Sequence, residues 1–370
     1  MLWHTGGGLG GIALSAMLGE QGLLVATPSA AGVLSGPRTG EAVCHPPQAK
    51  RVVQLFMSGA ASHIDLWDYK AELEKLHGRP SDFGEKVETF FDNGLGPWMK
   101  SPWKFKPYGQ SGKLLSDAVV PIGEVVDEMA FVHNMVGKTA VHSQGTYLQA
   151  TGFQRPGFPG MGCWVSYGLG SMNQNLPTFV VLPDHRGFGS GGTKNWHAAF
   201  LPAQHQATII RPGTRNPIAD LNASEDSFVS ATNSASAHQL LAQLNRRHAR
   251  ARHGDSRLDA RIKSYELAAR MQLAAPEALD ISRESKHTLK LYGLDHGKTT
   301  WPTEINPVEE QEYFGRKCLV ARRLLERGVR FVQIWSGHKT ISPAVTGIHT
   351  KTSCATTGRS LGACRLACGP

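Results

Sequence analysis

Four short apolar runs are the feature that most constrains the fold of this chain. They are RVVQLFM (51–57), MAFVHNM (129–135), PTFVVLP (177–183) and VRFVQIW (329–335), each rich in β-branched or aromatic residues with few charges. Continuous runs of this length are typical of strands buried on both faces of a parallel sheet. The connections between them are long enough for helices. The sequence therefore predicts an α/β fold with a parallel-rich sheet flanked by helices.

Helical spacing is clear in three segments. In residues 309–328 acidic residues come first, arginines come last, and a glycine stands where a C-terminal cap belongs. This helix leads directly into the run at 329–335, so the two predict a helix–strand unit. Two further helices are predicted at 238–252 and 258–273, where apolar and charged residues recur at helical intervals.

The chain is basic, with 39 Lys and Arg against 30 Asp and Glu and a net charge of +9. Such an excess favours anionic ligands. The densest basic run, NRRHARARH at 245–253, has no interleaved aromatic residues. Its pattern indicates the exposed side of a helix, and we expect no nucleic-acid partner. The six cysteines show neither the spacing of a zinc site nor that of a disulfide framework.

The first 32 residues are apolar, rich in Gly and Ala, and end in small residues that suit a signal peptidase. We expect an export signal or its remnant at 1–32, lacking the usual positive n-region. The mature protein would then lie in the periplasm or at the cell surface, without a stable membrane span. A GxGxxG pattern at Gly6, Gly8 and Gly11 follows no predicted strand, so we do not expect a dinucleotide site there.

A polar segment directly after the first predicted strand carries Ser62, His63, Asp65 and Asp68. The carboxyl ends of parallel strands are where α/β proteins hold ligands. Carboxylate oxygens and imidazole nitrogens bind Zn²⁺, Ca²⁺, Mg²⁺ or Mn²⁺. We expect a divalent metal bound by Asp65, with His63 and Asp68 as further ligands. The alternative is that Asp68 caps a helix beginning near Tyr69, while Ser62 and His63 serve the turn.

A second polar segment, after the run at 129–135, carries His142, Ser143 and Thr146 at the start of a predicted helix. A hydroxyl group near a metal and a helix N-terminus is a candidate nucleophile for phosphoryl or sulfuryl transfer. Ser143 and Thr146 are therefore candidate catalytic residues, and His142 is a candidate metal ligand or general acid. Alternatively, Ser143 caps the helix and the imidazole of His142 faces solvent.

Several separated segments, taken together and in order, resemble a bacterial family, the domain of unknown function 1501. They are PQAKRVVQLFMSGAASHIDLWDYKAEL, SGKLLSD, GCWVSYGLGSMNQNLPTFVVL, NWHAAFLPAQHQATIIR, ARIKSYELAARMQLAAPEALDIS and LVARRLLERGVRFVQIW. The resemblance covers roughly residues 50–335, and GGGLGGIALSAML is similar to the apolar part of the twin-arginine export signals common in that family.

The resemblance implies an exported protein with a fold similar to alkaline phosphatases and sulfatases, and with metal ligands on loops at one edge of the sheet. On that template Asp65, within SHIDLWD, is a metal ligand after the first strand, with His63 and Asp68 beside it. His142 stands where the family tends to carry a histidine after its second strand.

Two departures from the pattern matter. No cysteine or serine stands in the C-x-P-x-R or S-x-P-x-R context that a formylglycine sulfatase needs. The family's later tryptophan-aspartate-x-histidine and glycine-arginine-aspartate-histidine segments are also missing, and His338 and His349 do not restore them. We therefore expect a partial domain at 33–336, incomplete at its C-terminus, and an atypical tail at 337–370 that reflects a shifted frame or a truncated gene.

Two kinds of function are consistent with these residues. One is a metal-dependent hydrolase of phosphate or sulfate esters, acting on an anionic ester or polysaccharide. The other is an exported binding protein that has the fold without the chemistry, or an inactive fragment. The first predicts metal-dependent turnover and the second predicts anion binding without turnover.

Overall fold

The computed structural model describes residues 48–58, 61–84, 95–139, 141–214, 216–219, 221, 231–250, 256–295 and 307–337. The predicted export segment at 1–32 lies outside the described residues. So do His338, His349 and all of the predicted tail except its first residue.

The described strands and helices are distributed along the whole of this range. The strands are β1 (Val52–Met57), β2 (Phe105–Tyr108), β3 (Lys113–Ser116), β4 (Phe179–Leu182), β5 (Thr208–Ile209) and β6 (Phe331–Ser336). The helices are α1 (His63–Leu66), α2 (Ala71–Leu76), α3 (Val120–Gly123), α4 (His142–Thr151), α5 (Met161–Leu169), α6 (Ala231–Arg250), α7 (Ser256–Leu279), α8 (Lys286–Leu291) and α9 (Pro307–Glu326). Short 3-10 helices lie at Asp117–Val119, Val126–Glu128, Gly192–Trp196 and Ala203–His205.

Strands β1, β6, β4 and β5, in that order, form one sheet. Strand β4 pairs in parallel with β6, where Phe179 lies opposite Phe331. It also pairs in parallel with β5, where Val180 lies opposite Thr208. Strands β2 and β3 form a separate antiparallel pair.

Backbone hydrogen bonds show that β1 runs parallel to β6. The Val52 N–H donates to the carbonyl oxygen of Arg330 at 2.8 Å, and the Ser58 N–H donates to that of Ser336 at 2.7 Å. Between these two bonds both strands advance by the same number of residues in the same direction, as parallel pairing requires. The α/β class with a parallel sheet and flanking helices is confirmed, whereas the likeness to alkaline phosphatases and sulfatases stays a prediction.

Two of the predicted strands, β4 and β6, are covered on both faces, as their continuous apolar sequences require. Every residue of β4 and of β6 is buried. Gln333 carries the one side-chain amide of β6 and is 1% exposed. Its Nε2 donates to the Oε1 atom of Gln54 on β1 at 2.5 Å. A buried amide with a partner escapes most of the cost of losing water, so Gln333 is tolerated in the middle of the sheet.

The described residues divide into two compact units. The first comprises described residues within 48–56, 143–282 and 320–335, and the second comprises those within 57–142, 283–319 and 336–337. The sheet belongs to the first unit, except that β1 and β6 each extend one residue into the second.

Aromatic rings fill the core of the first unit. Trp335 of β6 packs against Phe56 at a centroid distance of 4.2 Å and against Trp196 at 4.9 Å. Phe179 and Phe331 meet edge to face at 5.4 Å. Such pairs combine a large buried apolar area with a favoured ring geometry.

The second unit has its own apolar core, built around the β2–β3 pair and the short helices on either side of it. Trp67 and Phe131 pack against this core. Its buried members are Leu66, Leu115, Ala118, Val119, Ile122 and Val126. Because Leu66 is the last residue of α1, this core positions the polar segment that follows β1.

One predicted strand is wrong. Residues 129–135, all of them described, form no strand. Met129 and Phe131 pack against the second core, but Val132 and Met135 are 67% and 72% exposed. Only Met129 and Phe131 of the run are partly buried and its other residues are exposed, so its apolar composition did not correspond to a strand buried on both faces.

The other three predicted strands are confirmed as β1, β4 and β6, and the three predicted helices as α6, α7 and α9. Gly328, two residues after α9, has a φ of 89°, the left-handed conformation that suits a glycine after a helix. Among the described helices, none is both long and apolar enough to cross a membrane.

We expect Gly315→Ala to destabilise the second unit. A methyl group there would collide with the backbone carbonyl oxygen of Tyr292, which cannot rotate away. Alanine gains about 1 kcal/mol of helix propensity over glycine, but the clash should lower the free energy of unfolding by a net amount of about 2 kcal/mol. Urea denaturation followed by circular dichroism measures the difference. Gly96→Ala, where the new methyl meets nothing within 4 Å, is the control; equal stability of the two variants would contradict the expectation.

Candidate functional site

The polar segment after β1 folds into the single-turn helix α1. The Ser62 hydroxyl donates to the Oδ2 atom of Asp65 at 2.6 Å, and the Asp65 N–H donates back to the Ser62 carbonyl oxygen at 3.0 Å. Leu66, 3% exposed, fixes the helix to the second core. Asp65 is thus bound within its own turn, and one of its oxygens already accepts a hydrogen bond.

Asp68, three residues later, lies in a more unusual environment. Its backbone N–H donates to the His63 carbonyl oxygen at 2.9 Å, and its side chain is only 11% exposed. The Lys70 ammonium lies 2.9 Å from its Oδ2 atom. His133 Nδ1 lies 3.4 Å from Oδ1, and His63 Nε2 lies 3.8 Å from Oδ2. One buried carboxylate therefore has three basic side chains around it.

A fifth side chain extends this group. The ammonium of Lys113, at the start of β3, lies 2.5 Å from His133 Nε2 and 4.4 Å from the centre of the Phe131 ring. The His133 tautomer with its proton on Nδ1 satisfies both neighbours, because it donates towards Asp68 and accepts from Lys113. We call Asp68, His63, Lys70, His133 and Lys113 the Asp68 cluster.

The charges of the cluster shift two pKa values. Burial by itself raises the pKa of the Asp68 carboxyl. The hydrogen bond and charge of Lys70, with the charges of His133 and His63, outweigh burial and hold that pKa below its ordinary value. Burial lowers the pKa of the Lys113 ammonium, and the charge of Asp68 offsets only part of this effect. The cluster therefore contains two ammonium groups and a single carboxylate, and only the ammonium of Lys70 contacts that carboxylate directly.

This arrangement does not fit a metal ion. Within the described residues, no group of three or more His, Cys, Asp and Glu side chains is placed to hold one. In the Asp68 cluster an ammonium group already occupies the position beside Oδ2 that a cation would take. A divalent ion would have to displace Lys70 before Asp68 could bind it.

The predicted site residues are only partly brought together. His63 and Asp68 lie close together in the second unit, their role as metal ligands stays a prediction, and the alternative role of Asp68 as a helix cap is wrong. Helix α2 begins at Ala71, and the residue before it is Lys70. Asp68 is instead buried under the basic side chains.

The candidate nucleophiles lie in the other unit. Helix α4 begins at His142, which is exposed and is the last residue of this stretch in the second unit. Ser143 and Thr146 belong to the first unit. Thr146 is 4% exposed, whereas Ser143 is only half-buried and is the more accessible hydroxyl. Because α4 begins one residue earlier, Ser143 lies inside the first turn rather than at the cap.

Sequence reasoning missed Lys70, Lys113 and His133. The signal for His133 was alternation: Met129 and Phe131 face the second core, and a residue two positions later in an extended segment points the same way. No local pattern marks Lys113, since it reaches the cluster through the pairing of β2 with β3.

We expect Asp68→Asn to remove a pH-dependent contribution to stability. Since the folded-state pKa of Asp68 is depressed, the ionised carboxylate stabilises the fold above the unfolded value of about 3.9, and this stabilisation is lost as the pH falls through the folded-state pKa. The variant should lose about 2 kcal/mol of unfolding free energy at neutral pH.

Urea denaturation at a series of pH values measures this effect, and the difference from wild type should shrink as the pH falls below about 4. Asp117→Asn, at an exposed carboxylate of the same unit, is the matched control and should differ little from wild type at any pH. A constant difference between D68N and wild type at every pH would show that the charge of Asp68 is not responsible.

Comparison with known proteins identifies a family. The family model described as "Protein of unknown function (DUF1501)" matches residues 49–350, well over half of the chain. No curated protein and no solved structure matches the chain. The match includes both described units, the whole Asp68 cluster and the candidate residues of α4. The chain therefore belongs to the DUF1501 family.

Proposed function

We propose that this protein binds a phosphate or sulfate ester at the Asp68 cluster, as an exported binding protein in the periplasm or at the cell surface. The observation that carries the proposal is the convergence of one ammonium group and two imidazoles on a buried carboxylate, with a second ammonium group, that of Lys113, against one of the imidazoles. Basic groups held in a fixed arrangement are a common means of recognising oxyanions.

The exposure of the side chains supports binding of an anion from the solvent side of the cluster. The side chains of His63, Lys70 and His133 are 60%, 49% and 37% exposed, whereas that of Asp68 is 11% exposed. The basic groups thus face solvent and the carboxylate lies beneath them. An approaching anion would meet the N–H donors first, while Asp68 fixes their positions from behind.

The contacts with Asp68 do not use all of the hydrogen-bond donors of the cluster. An ammonium group has three N–H donors, and the contacts of Lys70 and Lys113 to Asp68 and His133 leave further donors for a ligand. One carboxylate also neutralises only one of the two ammonium charges. The free N–H donors match the terminal oxygens of an ester such as a sulfated or phosphorylated polysaccharide. The proposal that the protein is exported rests on its apolar N-terminal sequence.

We expect Lys113→Gln to weaken the binding of inorganic phosphate and sulfate by at least about tenfold. The substitution removes the charge but keeps a side chain of similar length beside His133. Isothermal titration calorimetry with each anion measures the affinity. Lys104→Gln, at an exposed lysine of the same unit, is the control and should bind as wild type does. Equal affinities of K113Q and wild type, or no binding by wild type, would overturn the proposal.

A second candidate is a divalent-metal ester hydrolase. The observation that favours it is the place of Asp65 and Asp68, directly after the parallel strand β1, where α/β enzymes carry ligand-binding groups. In this proposal Asp65, Asp68, His63 and His142, all of the second unit, supply metal ligands. Since Lys70 already pairs with Asp68, the described arrangement favours anion binding without a metal.

Chelation separates the two candidates. If the Asp68 cluster binds anions by itself, phosphate affinity should be unchanged after treatment with EDTA, and p-nitrophenyl phosphate and sulfate should not be hydrolysed with Zn²⁺, Ca²⁺, Mg²⁺ or Mn²⁺. Loss of phosphate binding with EDTA, together with metal-dependent turnover that Asp65→Asn abolishes, would establish the hydrolase instead.

A further inference from the structure

Helix α6 presents its large apolar side chains to solvent. Leu240, Leu241 and Leu244 are 58%, 45% and 53% exposed. The half-buried positions of this part of the helix are instead occupied by small or polar residues, Ala242 and Asn245 among them. At 100° per residue the three leucines fall within one stripe about 100° wide. The leucine face of α6, defined by these three residues, is therefore a continuous apolar surface.

Basic side chains follow the leucine face along the helix. Arg246, Arg247 and Arg250 are all exposed, and α6 contains no Asp or Glu over its whole length. Arg247 stands seven residues after Leu240, which places it on the same side of the helix, and Arg250 follows it along the same edge. Arg246 points to the opposite side. Arginine can lay its aliphatic stem along apolar surface while its guanidinium reaches a charged layer.

This combination favours one kind of partner. A second copy of the chain would place these arginines against a helix that also contains no Asp or Glu, so the contact would offer them no opposite charge. Nucleic acid would match the arginines but leave the leucines in water. A bilayer with anionic headgroups matches both, because acyl chains accept the leucines and phosphates accept the guanidinium groups.

We propose that α6 binds the surface of a bilayer that contains anionic lipid. The helix lies in the headgroup layer, its leucine face reaches the acyl boundary, and Arg247 and Arg250, along one edge of that face, contact lipid phosphates. The contact is peripheral and needs no spanning segment. It goes beyond the proposed anion binding and involves the first unit, whereas the Asp68 cluster belongs to the second.

Flotation of the full chain with lipid vesicles tests the proposal. Wild type should float with vesicles of phosphatidylcholine and phosphatidylglycerol in equal parts, but not with pure phosphatidylcholine, and added salt should weaken the binding. Leu240→Ser with Leu244→Ser should reduce the bound fraction by about tenfold, with an unchanged circular dichroism spectrum, since both side chains are solvent-facing. Arg247→Gln with Arg250→Gln should reduce binding to the anionic vesicles similarly.

The matched control is Leu95→Ser with Leu169→Ser, two leucines outside α6 that are 47% and 63% exposed. This variant should float as wild type does. Absence of wild-type binding to anionic vesicles, or equal binding by L240S/L244S, would overturn the proposal. So would a dimer in sedimentation velocity that L240S/L244S abolishes without any vesicle binding, because a second copy would then cover the leucine face. Phosphate affinity should be the same in L240S/L244S and wild type, which separates this result from a failure of the Asp68 cluster.

Discussion

The pairing of β1 with β6 is the contact on which the sheet depends. Strand β6 lies between β1 and β4, so the last described strand joins the first to the rest of the sheet. The Gln54–Gln333 hydrogen bond links residues 279 positions apart. Closing such a long stretch of chain costs entropy before any contact offsets it. The burial of every residue of β6 and the stacking of Trp335 against Phe56 are the contacts that stabilise the closed arrangement.

A different constraint governs the second unit, where a carboxylate is buried beneath basic groups. An unpaired charge at Asp68 would be costly, so the surrounding ammonium and imidazole groups are required for the fold as much as for any ligand. The same contacts restrict the positions of those groups. In the proposed function stability and binding would be coupled: Asp68 keeps Lys70 and His133 in place, and they in turn hold the pKa of its carboxyl below the ordinary value.

Sequence reasoning succeeded where local pattern and burial agree. β4, β6 and α9 lie where their apolar spacing predicted them, because each is covered as its pattern requires. It failed at 129–135, where composition alone could not show that most of the run would remain exposed. For the site, the proximity of His63 to Asp68 follows from their separation of five residues across one short turn. Lys113 and His133 could not be assigned this way, since they meet only after β2 pairs with β3 and Phe131 packs on the second core.

The basic character of the chain takes two physically different forms in the described structure. In the Asp68 cluster the positive groups are paired with a buried carboxylate, and salt screens such partly buried pairs less than it screens fully exposed charges. In α6 the arginines are exposed and the helix offers them no acid, so their attraction to an anionic surface is long-ranged and sensitive to salt. The first form suits recognition of one small anion in a defined geometry, because the donors are held in place. The second suits adhesion to an extended surface, because many weak contacts can form without fixed positions. A net charge of +9 is thus not a single property of the molecule, and its two forms should respond differently to ionic strength.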